Sequence, residues 1–155
     1  MNIKTRYFGE IDLDESKVIT FANGLFGFEE YTRFTLLYNS EGEERPSISW
    51  LQSVDEPSLA LPVMIPTIVM PEYNPIVEDG VLEVLGDWNE ENISVLVTVT
   101  VPKDLKLMTT NMKAPIIINT DNMKGCQVVV ENPDYEIRYK IYVILNAAKE
   151  EKEEN

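Results

Sequence analysis

The sequence predicts a mainly β protein: a small antiparallel β-barrel-like single domain with at most one or two short helices. Three observations carry this. Short β-branched and aromatic runs recur with Gly, Asn or Pro turn signals between them. There is no strand–helix–strand alternation, which counts against a doubly wound sheet. Prolines fall at 57, 62, 66, 71 and 75, a spacing that no helix interior tolerates. The chain's 155 residues fit one domain able to bury a proper core. The reading divides it into a β domain, 1–146, and a charged C-terminal tail, 147–155.

IKTRYF (3–8) reads as a first strand, VITF (18–21) and RFTLLY (33–38) as the next two. Between these last two lies FANGLFGFEEY (21–31), with turns marked by Asn23-Gly24 and Gly27. Residues 48–52 form a short strand with Ile48, Trp50 and Gln52 on one face and Ser49 and Leu51 on the other, and Trp50 is read as core. The proline-rich stretch supplies edge strands or extended crossings, because each proline removes a ladder donor. EDGVLEVLGDW (78–88) leans to a short helix over a hairpin. ISVLVTVTV (93–101) is the clearest strand, apolar and β-branched throughout. IIIN (116–119) and CQVVV (126–130) make a hairpin across TDNMKG, with Ile116, Ile118, Val128 and Val130 filling the barrel. EIRYKIYVIL (136–145) is a last strand. NAAKEEKEEN (146–155) is helix-prone but polar all round.

Charge narrows the function. Thirteen Lys+Arg against 27 Asp+Glu give −14, of which the tail's two Lys and four Glu account for −2. From Pro46 to Pro102 there is no Lys or Arg, while Asp55, Glu56, Glu72, Glu78, Asp79, Glu83, Asp87, Glu90 and Glu91 all fall there. Such a face solubilises, or it is shaped for a basic partner. Direct nucleic-acid binding is disfavoured, since phosphate neutralisation needs clustered cations. Without histidine, Ser-His-Asp and Cys-His arrangements and HExxH zinc sites are impossible. One cysteine, Cys126, excludes a disulfide framework and reads as a small buried hydrophobe. No apolar run is long enough to span a bilayer, and no secretory leader is visible, so a cytoplasmic location is expected. No cofactor is expected.

FANGLFGFEEYTRF (21–34), WLQSVDEPSLAL (50–61), VLVTVTVP (95–102), TTNMKAPIIIN (109–119) and KGCQVVVENPDYEIRY (124–139) together resemble the flagellar assembly factor FliW family, in that order and over all but the tail. The resemblance implies a compact β-barrel-like fold and a binding protein, not an enzyme. It implies two partners: newly made flagellin in the cytoplasm and, once flagellin is exported, the RNA-binding translational regulator CsrA. Capture of CsrA would relieve repression of flagellin translation. The free protein is expected to be a monomer. Competing readings are a carboxylate-based divalent-ion hydrolase and an unrelated peptide- or carbohydrate-binding β module.

Candidate partner-binding residues fall into four groups. Glu78, Asp79 and Glu83 offer negative charge to a basic surface. Phe26, Phe28 and Tyr31 either plug the barrel end or receive an apolar helix face. Asp121, Asn122, Met123 and Lys124 form a loop tip, where Asn and Asp either satisfy the turn or meet a partner. Glu72, Tyr73 and Asn74 complete the set, within a segment, 62–76, richer in proline and aliphatics than the family pattern.

Overall fold

The computed structural model describes residues 1–38, 48–78 and 80–147. Its strands are β1 (Asn2–Lys4), β2 (Glu10–Asp12), β3 (Ile19–Phe21), β4 (Arg33–Leu37), β5 (Ser49–Ser53), β6 (Ala60–Met64), β7 (Ile93–Thr100), β8 (Thr109–Thr110), β9 (Ile116–Asn119), β10 (Lys124–Gln127) and β11 (Tyr139–Lys140). The main sheet closes on itself: β7, β6, β5, β4, β3, β10 and β9 run in that order, and β9 returns to β7. A closed barrel removes most of the raw edges an open sheet would leave. The mainly β, barrel-like expectation holds. One pairing departs from the antiparallel rule: β3 and β10 are parallel, Lys124 opposite Thr20 and Gly125 opposite Phe21. No tight turn links these two strands, so none dictates their direction.

Inside the barrel lie Ile19, Phe21, Leu25, Phe34, Leu51, Val63, Leu96, Ile116 and Ile118. Phe21 and Phe34 meet edge to face, with centroids 5.6 Å apart. Two further clusters cover the barrel's outer wall. One packs Met64, Val69, Met70, Tyr73, Met108, Met112 and Ile141 against Val97 and Val99 of β7. The other packs Leu82 and Leu85 on Ile117 and Val128. β7 is thus apolar on both faces because both are covered: Leu96 points into the barrel, Val97 and Val99 away from it. The same alternation corrects one expectation. Ile116 and Ile118 fill the barrel, but Val128 lies outside it, on the face it shares with Ile117.

Other differences have local causes. The 3–8 strand stops at Lys4, and β1 pairs with β2 in a separate hairpin. β6 carries Pro62 opposite Trp50 and is flanked by β5 and β7, so it is a central strand and not an edge. Its register with β7 starts at Val63, one residue past the proline, so the missing N–H removes no bond on that side. On β5, Leu51 faces the barrel core, while Trp50 packs under Tyr7, ring centroids 4.4 Å apart. The 78–88 helix reduces to one 3₁₀ turn, Glu83–Leu85, which buries Leu82 and Leu85 and ends at Gly86 with φ 73°. The hairpin 116–127 has a four-residue loop, 120–123, and β10 ends at Gln127. Finally, the predicted strand 136–145 breaks up: only Tyr139–Lys140 are strand, as β11, and the chain is α-helical over 142–147. Ile141 is buried, Ile144 and Leu145 pack on the same cluster, and Leu145 N–H donates to Ile141 O at 2.9 Å. Spacings of three and four are helical, and they prevail over the β-branched composition. The tail beyond 147 lies outside the described residues.

Candidate functional site

Three segments meet on one face: the turn 22–28, the exit of β10 at 126–131, and residues 76–78 with 80–84. Gln127 joins the first two. Its Oε1 accepts the Phe26 N–H at 2.8 Å, and its Nε2 donates to Ala114 O at 3.0 Å. Turn 22–28 can come this close because residue 24 is glycine. Gly24 sits at φ 67°, and a Cβ there would lie 2.5 Å from the Glu29 backbone. The third segment is strapped down by backbone and amide groups. Glu131 N–H donates to Ile76 O at 2.7 Å, Asn132 Oδ1 accepts the Ile76 N–H at 2.6 Å, and Asn132 Nδ2 donates to Asn74 O at 2.9 Å.

Between them runs an open groove of about 420 Å³, lined by Asn23, Glu78, Val81, Val84, Glu131 and the chain from Cys126 to Val129. Its apolar parts are exposed: Val129 is 61% accessible and Val81 38%. Its charges are negative. The described residues contain two ion pairs, the Met1 amino group with Asp12 and Arg33 with Asp55, and neither involves a groove residue. Glu78, Glu83 and Glu131 therefore face solvent with no cation in salt-bridge range among the described residues. The groove's one thiol, Cys126, is half-buried, and desolvation pushes its pKa up to about 11, so it is a neutral wall atom at physiological pH. Among the described residues no group of three or more His, Cys, Asp or Glu could hold a metal ion. None of their helices is long and apolar enough to cross a membrane.

The candidate residues separate. Glu78 lines the groove, exposed Glu83 precedes its wall residue Val84, and exposed Phe26 touches it only through its backbone N–H on Gln127. Asp79 lies outside the described residues. Phe28 and Tyr31 are half-buried and pack on the barrel core. Glu72 and Asn74 are exposed, but Tyr73 is not: it is 9% accessible, donates its hydroxyl to Met112 O at 2.8 Å and stacks on Tyr135 at 4.9 Å. The Tyr73 ring fills the outer cluster, so little of it reaches the surface. Loop 121–124 is held by its own polar groups. Asp121 accepts from Asn92 Nδ2 at 3.0 Å, and Asn122 Nδ2 donates to Leu85 O at 2.9 Å. Met123, at φ 57°, turns back onto the core, and Lys124 alone of the four extends freely. The turn-satisfying role of Asn and Asp is thus in place, whatever else the tip does. Sequence reasoning missed Gln127, Val129, Val81 and Glu131. The three consecutive valines 128–130 are visible in the sequence, but their place beside the chain that leaves β3 at Phe21 comes only from the β3–β10 pairing.

The comparisons fit this geometry. The family model described as FliW protein matches residues 2–141. The flagellar assembly factor FliW of Lachnoclostridium phytofermentans is 56% identical over 152 residues, covering 97% of each chain. This chain belongs to the FliW family. That of Lachnospira eligens is 50% identical over 156 residues, covering 100% of each. A crystal structure of the flagellar assembly factor FliW superposes with TM-score 0.82 at 30% identity, covering 91% of this chain and 96% of that one. This chain therefore shares the fold of that structure, and the groove lies on the surface of its closed barrel.

Proposed function

We propose that the protein is a non-enzymatic flagellar assembly factor that works in the cytoplasm by binding two rival proteins. It binds flagellin, acting as its chaperone, and when free it binds and antagonises CsrA, relieving repression of flagellin translation. Membership of the flagellar assembly factor family carries the reading, since that family's resemblance supplies both partners. The groove supports it. Glu78 and Glu131 line one groove together with Val81, Val84 and Val129, and exposed Glu83 adjoins it; none has a cation in salt-bridge range among the described residues, which suits a basic protein surface. A net charge of −14 also repels the RNA that CsrA holds, so capture near the RNA site weakens RNA binding by field as well as by contact.

The test mixes the purified protein with CsrA and with flagellin, separately and together, on a sizing column. Each pair should co-elute, and the two partners should displace one another. Failure to form either complex overturns the reading. The CsrA association rate should fall steeply between low and physiological ionic strength, because steering is screened beyond about 8–10 Å. A flat rate would refute steering by the acidic face. Glu78→Lys with Glu83→Lys should weaken CsrA more than flagellin, and equal loss would mean one shared surface.

A further inference from the structure

We infer that the open edge of the chain at 127–130 is a docking lane for an extended, basic segment of a partner protein, which adds there as a strand. This rests on the reading that the acidic face receives basic protein surface, and it specifies how.

The two sides of β10 differ. Towards β9, its even-numbered residues are bonded: the ladder pairs Cys126 with Ile117, and beyond it Val128 N–H donates to Pro115 O at 3.2 Å and Val130 N–H to Lys113 O at 2.9 Å. The odd-numbered residues point the other way, towards β3. There the pairing ends at Gly125 opposite Phe21, since β3 turns away at Ala22. The N–H and C=O of Gln127 and Val129 have no backbone partner among the described residues. The space that β3 would have occupied had it continued is the groove, because residues 126–129 form its wall. An unpaired, extended edge of this kind is a template for strand addition. From Gln127 to Val130 it offers roughly 10–13 Å of lane, which ends where the Glu131 N–H is taken by Ile76 O.

The occupant follows from what borders the lane. Glu78 and Glu131 line it, while Val81 and Val129 are its exposed apolar surfaces. A strand alternating cationic and aliphatic side chains would set one kind against each. A second copy of this chain is a poor occupant, since it would bring −14 against −14.

The probe is a short synthetic peptide alternating lysine and valine, compared with its glutamate–valine counterpart and with a copy N-methylated at alternate amides. The basic peptide should bind, the acidic one should not, and N-methylation on the pairing edge should weaken binding about tenfold through loss of two hydrogen bonds. Equal affinity of the methylated peptide overturns strand pairing. Val129→Pro removes an outward N–H that no described group uses, so the fold should persist while peptide affinity falls by a similar factor. Independent of any variant, amide exchange in the wild-type protein should alternate. Val128 and Val130 exchange slowly throughout, whereas Gln127 and Val129 exchange fast when free and slow with saturating peptide. Unchanged fast exchange at 127 and 129 overturns the inference, as does protection that comes with protein concentration alone, which would mean self-pairing. Loss of peptide binding with both protein complexes of the preceding subsection intact overturns strand addition only. Absence of those complexes overturns the reading beneath it too.

Discussion

Gly125→Ala is a test of how the barrel closes. Gly125 stands opposite Phe21 in the parallel β3–β10 pair. An ideal Cβ on residue 125 would lie 2.4 Å from Phe21 Cε1, 2.8 Å from Cζ and 2.9 Å from Cδ1. Ordinary carbon contact is about 3.5–4.0 Å, so the ring must retreat by about 1 Å. It has little room, for Phe21 is fully buried and held edge to face by Phe34. Overpacking of this kind costs roughly 1–3 kcal/mol, and three ring atoms in conflict place this case near the top of the range. Alanine recovers about 0.5–1 kcal/mol of backbone entropy relative to glycine in a strand. The net is a loss of about 2 kcal/mol, which for a chain of this size lowers Tm by roughly 4–8 °C. Urea denaturation with an unchanged m-value measures it directly. Combining Gly125→Ala with Phe21→Leu should be less damaging than the sum of the two by about 1 kcal/mol, because the smaller side chain vacates the contested space. If Gly125→Ala is as stable as the parent, the close approach is not a constraint and this account of closure fails.

Four further outcomes follow from buried and half-buried groups. Asn119→Ala should cost about 2–4 kcal/mol in denaturation and speed amide exchange through 85–92, because the fully buried amide donates to Leu85 O and Asp87 O at 2.9 and 3.0 Å. Tyr73→Phe should cost about 1–2 kcal/mol by leaving Met112 O without its donor, while the stack on Tyr135 survives. Cys126, with its pKa raised to about 11, holds its proton in the folded state. Alkylation at pH 8 should therefore run on the order of a hundredfold slower than in the unfolded chain, whose thiol titrates near 8.5. For the same reason folding loses stability as pH rises above the unfolded thiol's pKa towards 11, a change visible as a falling denaturation midpoint.

Strands were legible where one signal dominated. β7 and β9 stand in the sequence as runs of β-branched residues, and both fall where expected, β9 over Ile116–Asn119 without adjustment. The helix at 142–147 was hidden because Ile141, Tyr142, Val143 and Ile144 look like a strand in composition. Only the positions that pack inward, buried Ile141 and partly buried Ile144 and Leu145, carry the helical period. Pro62 misled because a proline's position says nothing of which side of the strand its nitrogen faces. The acidic character of the groove was visible in the cation-free stretch. Its shape was not, since its walls come from residues near 23, 80 and 128, and closure of the barrel brings these together.

The parallel seam between β3 and β10 joins residues about a hundred positions apart in the chain, Thr20 to Lys124. During synthesis the early strands can pair as a curved, open sheet, but the ring cannot shut until Gln127 has left the ribosome. A product truncated before that point carries two raw sheet edges, on β3 and on β9, and should be caught by proteases or self-association instead of accumulating. Cellular supply of the binding-competent form is thus tied to completion of the chain, and high contact order makes that last step the slow one.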